Sequence, residues 1–596
     1  MPLSAHFNVS APAPHDHLLH VELTLDGLDP AAHHLDLSMP VWTPGSYMVR
    51  EYSRHVQGLR AHAEDRPVSA HKLDKATWRF ITEGATRLTV RYQVYAHELA
   101  VRTNHLDSSH AFYNGPALYL YPRDVTAQPP TVSFVGMPDG WQVFCGLDPV
   151  AGKPGHYTAS DWDTFIDCPV EIGPHVPITF EALGKPHTVV VWGRGNHEPD
   201  RLAADLARIV VANASFFGNA LPYDHYTFII HLTLSGRGGL EHKNSTVLLC
   251  QRHDFCAGPA GTSVDAQGQP DDKYIEFLRL AAHEHFHTWN VKRIRPARLG
   301  PFDYQQENYT RDLWTVEGVT SYYELVSLRR AGLMSPKRFL DAIADSIKVL
   351  ATVPGRALQS LEDSSFDAWI KLYRPDEHTR NSSVSYYLKG ELVCFLLDAH
   401  IRAKSGGERS FDDVMSLLWR RFLEDGQGYA EGSYGEVIQA ATGVDVSEAI
   451  EVLTRSTAEI DWARWLDPVG LQLTTSSKPT QPAAWLGVSL RAEGERVVAA
   501  SVPTGSPALA AGIAPGDEII ACDGFRVSAP CHIDDHLRRK RPGDQMTLHL
   551  FRREELLSVT AKLDLAPPDT YVIGPVKEAD ARTTTIRDAW LGQELG

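Results

Sequence analysis

The sequence predicts a multidomain α+β protein, with an N-terminal antiparallel β-sandwich, a mostly α middle domain and a small β-rich C-terminal module. Three observations predict it. Up to about residue 172, apolar and polar residues alternate in short runs such as 20–25 (HVELTL) and 87–94 (RLTVRYQV), broken by Gly, Pro and Asp; that is the period of half-buried strands. From about residue 271 the apolar spacing turns helical. From 485 to about 565 short β runs return, after a polar stretch at 474–484 (TTSSKPTQPAA) that reads as a linker.

At 596 residues the chain has room for about four domains of roughly 150 residues. The boundaries read as a β domain at 1–172, a catalytic-sized domain at 173–473, the linker at 474–484, the module at 485–565 and a tail at 566–596. Within the second region, 200–217 has helical spacing and 226–234 is a β-rich run. Helices follow at 272–290, 312–330, from Ser335-Pro336 onward, 384–403 and 411–423. Ser335 suits an N-cap with proline at N1, and Ser410 with Asp413 resembles a capping box. A small helix is expected around 586–591.

Apolar residues make up 43% of the chain and charged residues 22%, which are ordinary globular values. The formal net charge of −17 has the wrong sign for a nucleic-acid or anionic-membrane partner. The N-terminal residues show neither a basic leader nor an apolar run, and no window approaches the roughly 18 apolar residues of a spanning helix. A cytoplasmic location is the expectation. The cysteines at 145, 168, 250, 256, 394, 522 and 531 form no C-x-x-C pair and read as reduced, mostly buried thiols.

The strongest chemical signal is His283-Glu284-His285-Phe286-His287, an H-E-x-x-H pattern directly after the apolar-rich run 274–282 (YIEFLRLAA). Residues four apart share a helical face, so His283 and His287 can meet one ion with Glu284 beside them. Zinc suits imidazole ligands and lowers the pKa of bound water toward about 7. With 28 histidines a chance match has to be weighed, and context decides. A second helix follows, bearing 313–323 (LWTVEGVTSYY), and its Glu317 is the natural third ligand, leaving one position open for water. The competing reading of Glu317 is a solvated helix carboxylate, against which Gly318 and the surrounding aromatics speak. His285 lies on another helical face and reads as packing or as a hydrogen-bonding support. His15, His17, His33 and His34 read as surface residues.

These residues resemble the glycyl aminopeptidase family of gluzincin zinc metallopeptidases. The likeness rests on 283–296 (HEHFHTWNVKRIRP) and 313–323, on 41–50 (VWTPGSYMVR) and 101–107 (VRTNHLD), on 238–242 (GGLEH) and on 385–390 (SYYLKG). It spans residues 1 to about 570. The resemblance implies a thermolysin-like catalytic domain with one Zn2+ per chain held by His283, His287 and Glu317. It implies Glu284 as general base and hydrolysis of N-terminal glycine or alanine from peptides with a free N-terminus. Tyr387, in Y-L-K-G, is similar to the tyrosine that stabilises the oxyanion in related alanyl aminopeptidases; Tyr386 is the neighbouring candidate. Gly238, Gly239, Glu241 and His242 resemble the segment whose edge strand and carboxylate bind the substrate α-amine. His242 stands where the alanyl enzymes have Asn. Arg102, Asn104 and Asp107 are candidates for closing the site, on resemblance alone.

The C-terminal module, with Trp485-Leu486-Gly487-Val488, 506–520 (SPALAAGIAPGDEII) and Cys522-Asp523-Gly524, resembles a PDZ domain, whose loop offers backbone N–H groups to a C-terminal carboxylate. Two rival readings stay open: a zinc endopeptidase that presents substrate through the PDZ module, and a peptide-binding protein with a vestigial metal site. Glu241 speaks against the first, since an endopeptidase has no use for an ammonium anchor. The intact set His283, Glu284, His287, Glu317 and Tyr387 speaks against the second. Neither a serine-hydrolase G-x-S-x-G motif nor a phosphate-binding loop is found.

Overall fold

The computed structural model describes residues 3–123, 128–255, 270–478 and 483–592. Cys256 and residues 479–482 of the expected linker lie outside them. The chain forms two compact units: Met1–Thr310, Tyr323–Ser335 and Met415–Glu431 make one, and Arg311–Tyr322, Pro336–Val414 and Gly432–Gly596 make the other.

In the first unit the alternating runs become strands. Ser4–Ser10 and Leu18–Asp26 pair antiparallel with Phe7 opposite Leu23 and Val9 opposite Val21, and each buries every second residue. They belong to an eight-stranded sheet, accompanied by two four-stranded sheets. Most pairs are antiparallel; Ser4–Ser10 against Thr131–Phe134 is parallel. The apolar faces meet in one core containing Phe7, Leu23, Val90, Leu118, Tyr119 and Phe165.

Further along the same unit, a five-stranded mixed sheet runs in the order Ile178–Ala182, Lys185–Trp192, Tyr226–Thr233, Ser245–Gln251, Gly238–Glu241. The middle three strands are parallel, and Gly238–Glu241 is an antiparallel edge. Helix Pro199–Ser215 makes the crossover between two parallel strands. Its Asn213 Nδ2 donates to Ala282 O (3.1 Å), which fixes it against helix Asp272–Phe286. That helix starts at Asp271, whose carboxylate accepts from Tyr274 N (2.9 Å).

In the second unit, helix Tyr386–Ser405 is capped by Ser385 and ends at Gly406 with φ +68°, the left-handed stop that glycine allows. The expected box at Ser410 forms, with Asp413 Oδ2 accepting from Ser410 N (2.9 Å). The C-terminal module is a small sheet in the order Ser489–Glu493, Arg496–Ser501, Glu518–Cys522, Gln545–Arg552, Glu555–Lys562. Its core contains Leu486, Ile519, Met546 and Leu548.

The stretches expected as linker and tail differ from that reading. Leu471–Ser476 pairs antiparallel with Thr570–Pro575, and Ala484–Trp485 with Asp564–Leu565, so the module is inserted between two strand pairs. Residues 474–476 face solvent, which is why their polarity reads as a linker. Beyond residue 580, helix Ala581–Leu591 lays Trp590 on Phe395 (centroids 5.3 Å apart), with Arg402 over the same ring. Of the described cysteines, Cys145, Cys168, Cys250, Cys394 and Cys522 are buried free thiols and Cys531 is exposed. No helix among the described residues is long and apolar enough to cross a membrane.

Phe7 is fully buried and touches Tyr119 and Phe165 with centroids 4.6 and 5.7 Å away. Phe7→Ala is expected to destabilise the β region by about 3–5 kcal/mol, read as an earlier unfolding transition in denaturant.

Candidate metal centre and active site

His283 and His287 lie at the end of helix Asp272–Phe286, and both are buried. Each ring is oriented through its Nδ1. His283 Nδ1 donates to Glu324 Oε2 (2.9 Å) and His287 Nδ1 to the carbonyl of Asn290 (2.7 Å). Because both acceptors are oxygens, the two tautomers are fixed with the lone pair on Nε2, the arrangement of imidazoles that ligate a metal. Burial would push the Glu324 carboxyl up, but the Arg279 guanidinium (2.8 Å) and the His283 hydrogen bond outweigh it and hold its pKa at about 2. Glu324 is therefore a permanent acceptor.

The edge strand Gly238–Glu241 passes beside this helix. A Cβ on Gly239 would lie 2.0 Å from Glu284 Oε1, so only glycine lets strand and carboxylate share the space. One atom each of Glu241, Glu284 and His287 lies within 4.8 Å of the others. Glu241 is 3% exposed, and its Oε1 has no hydrogen-bond partner among the described residues. Lys292 Nζ is 3.9 Å from that oxygen but 3.0 and 3.1 Å from the two carboxylate oxygens of Asp167. The lysine thus serves Asp167, whose pKa burial would raise and Lys292 and His242 bring down. His242 Nδ1 is 3.4 Å from Asp167. Against the Glu241 carboxylate lies Gly45, at φ +87°, where a Cβ would fall 2.4 Å from Oε1.

In the second unit, Glu317 lies on a π-turn, Trp314–Gly318, that runs directly into helix Val319–Arg330. It is buried, not solvated. Gly318 meets Gly390 backbone to backbone, and a Cβ on Gly318 would fall 2.5 Å from Gly390 Cα. The glycine of Y-L-K-G thus brings Tyr387 toward Glu317. Burial and then the Glu317 charge raise the Tyr387 pKa well above the phenol range, which keeps its O–H a donor. Tyr387 Oη is 3.3 Å from Tyr373 Oη. Tyr386 is fully buried and stacks on Tyr387.

A family model described as the Peptidase M61 N-terminal domain matches residues 6–174, and one described as M61 glycyl aminopeptidase matches 276–393. A solved structure described as an aminopeptidase N family protein from Idiomarina loihiensis is 30% identical, with a TM-score of 0.90, over 99% of this chain and 100% of that one. The chain belongs to the M61 glycyl aminopeptidase family. A PDZ model matches residues 484–563 of this M61 protein. A structure described as an HtrA-type protease AlgW with a decapeptide is 27% identical over 15% of this chain and 30% of that one (TM-score 0.14). Native yeast LTA4 hydrolase is 14% identical over 78% and 68% (TM-score 0.42). No curated protein matches. The family makes this chain a peptidase and implies a metal; the two Nε2 lone pairs and the buried carboxylates suit one.

The remaining expected residues fall into place individually. His285 is buried in a chain of hydrogen bonds, Asn213 Nδ2 to its Nδ1 (3.1 Å) and its Nε2 to Tyr223 Oη (2.9 Å), and burial keeps its pKa low. Asn104 is spent on backbone, its Nδ2 donating to Ala117 O and its Oδ1 accepting from Asn114 N. Asp107 accepts from Ser109, and the carbonyl of Arg102 accepts from Tyr52 Oη. In the PDZ module, Gly487 has φ +74° and packs on Ser506 and Trp485, while Leu486 O accepts from Ala508 N (2.8 Å). Sequence reasoning missed Glu324, Lys292, Asp167 and Gly45. Only Glu324 left a direct signal, its seven-residue spacing from Glu317.

Gly239→Ala is expected to keep the fold and lower kcat at least about 100-fold, because it displaces Glu284; circular dichroism beside peptidase assays checks it. Lys389 of Y-L-K-G is 3% exposed and burial lowers its pKa to about 8, against about 10.4 for a free lysine. Between those values the unfolded chain binds more protons, so stability rises with pH from about 8 to about 10.4. Lys389→Met is expected to abolish that rise in denaturation midpoints measured across the window.

Proposed function

We propose that this M61 protein is a zinc-dependent aminopeptidase that removes small N-terminal residues, glycine or alanine, from peptides. The observation that carries the reading is Glu241: a buried carboxylate on an edge strand, one oxygen without a hydrogen bond, its nearest cation committed elsewhere, and close to Glu284 and His287. Such a group gains most from a substrate ammonium, which supplies both charge and N–H donors. The preference for small residues follows the family.

His283 and His287, through Nε2, and Glu317 would hold the zinc. When bound, the ion acts as a Lewis acid on the scissile carbonyl and makes water at the site more acidic. Glu284 then takes the proton of the attacking water and gives it to the leaving amine. Tyr387 donates its O–H to the developing oxyanion, a contribution on the order of 3 kcal/mol. Gly238 and Gly239 let substrate backbone approach the strand, and His242, the next residue after Glu241, stands beside Asp167. In the PDZ domain the loop Trp485, Leu486, Gly487 and Val488 would receive a peptide C-terminus.

The test is hydrolysis of glycyl-4-nitroanilide beside its N-acetylated form. Wild type is expected to cleave only the free amine. Glu284→Gln should lose about 10²–10⁴-fold in kcat with zinc retained, and Tyr387→Phe about 10²–10³-fold. Glu241→Gln should raise KM for the free amine and erase the discrimination. Equal cleavage of both substrates by wild type would overturn the aminopeptidase reading in favour of an endopeptidase.

A further inference from the structure

Away from the peptidase site, a second set of metal-binding side chains converges inside the first unit. Glu171 lies in strand Val170–Gly173, all four of whose residues are buried, and its carboxylate has no exposure. Three imidazoles from separate segments point at it. His110 Nδ1 and His175 Nε2 lie 2.8 and 2.7 Å from Oε1, and His231 Nε2 lies 2.9 Å from Oε2. His110 precedes strand Ala111–Tyr113, His175 follows the Glu171 strand, and His231 lies in Tyr226–Thr233, the central strand of the mixed sheet.

We propose that His110, His231 and Glu171, each of which offers a ligand atom within 4.8 Å of the other two, form a buried site for a second divalent metal ion, with zinc the best match to the ligand types, and that His175 supports Glu171 through its hydrogen bond. Imidazole and carboxylate are both ligand types that zinc takes. Charge is the stronger argument. Asp167 has Lys292 beside it and Glu324 has Arg279, but the described ion-pair partners of Glu171 are histidines alone. If these imidazoles are neutral, they satisfy its lone pairs and leave a whole negative charge buried, which is costly without a cation.

The surroundings match an ion-binding site as well. His110 Nε2 lies 2.9 Å from His105 Nδ1, a contact that orients the ring with Nδ1 toward Glu171. Trp192 stacks on the His110 ring (centroids 4.2 Å apart, 18° between planes) and holds its orientation. Donors about 2.0–2.1 Å from a common zinc stand about 3.3 Å apart, so loading would lengthen the present His110–Glu171 and His231–Glu171 spacings by roughly 0.5 Å. The ion would tie the N-terminal β strands to the sheet whose edge carries Glu241.

The experiment is native mass spectrometry of zinc-loaded full-length protein. Wild type is expected to carry two ions. The His283→Ala/His287→Ala variant should keep one, and its cobalt-loaded form should show the visible d–d absorption of a tetrahedral site. Glu171→Gln should lose one ion from wild type. One ion on wild type with none on the His283→Ala/His287→Ala variant would overturn the proposal, making the cluster a hydrogen-bonded network with a protonated histidine. That double variant leaves the Glu171 cluster intact, so it decides the matter even if Glu171→Gln fails to fold. One ion on both wild type and the double variant would instead sink the peptidase-site zinc and leave this site standing.

Discussion

Two carboxylates can share one small volume beside His287 only because two side chains are missing. Gly239 gives Glu284 its room, and Gly45, in a left-handed conformation, gives Glu241 its own. The rest of the first unit serves that approach. The mixed sheet sets the edge strand, with Gly238 opposite Leu249 and Glu241 opposite Thr246, and helix Asp272–Phe286 packs against the same sheet with its histidines oriented by Glu324 and Asn290. Gly318 on Gly390 is the same device within the second unit, used to bring the Glu317 turn and the Tyr387 helix together. In both places a backbone comes closer than any Cβ allows, and the polar side chains next to it inherit the geometry.

Charge separates the structural carboxylates from those argued to meet a ligand. Asp167, Glu324, Asp398 and Asp517 are buried, and each has its own cation within hydrogen-bonding distance: Lys292, Arg279, Arg402 and Arg552. Burying such pairs is tolerable because the charge is matched and the lone pairs are filled. Glu241 and Glu171 depart from this pattern. The first stands 3.9 Å from a lysine committed to Asp167, and the second is ringed by imidazoles. In the readings proposed for them a cationic partner from outside would complete each, a substrate ammonium in one case and a metal ion in the other, so one rule of burial would account for both sites.

Much of the fold was legible in the sequence. Alternation at 20–25 and 87–94 gave strands, and the expected helix starts at Ser335-Pro336, at 384 and after Ser410 fall within a residue or two of the observed ones. The motif helix and the Gly-Gly edge strand both stand where their patterns put them. What misled was polarity at 474–476: an exposed strand pair looks like a linker because its outward residues carry no apolar period, and its partner, Thr570–Pro575, lies nearly a hundred residues away. The mixed character of the five-stranded sheet was equally hidden, since buried parallel strands show no alternation.

Periodicity reports how a residue sits on its own element, whereas a site is made between elements, and that difference explains which residues escaped notice. Lys292, Asp167 and Gly45 each fit their local surroundings, so nothing local marked them. The residues that did stand out violate the preference of the element that carries them. A glycine pair weakens a strand, a glutamate among aromatics weakens an apolar helix face, and a carboxylate in V-E-I-G is costly in a strand buried on both sides. Each such loss is offset only by a neighbour, as Glu284 fills the space at Gly239 and three histidines surround Glu171. Local misfits of this kind locate a site before its partners are known, and the chemistry of the misfit, a missing side chain or an unmatched charge, indicates what the partner must bring.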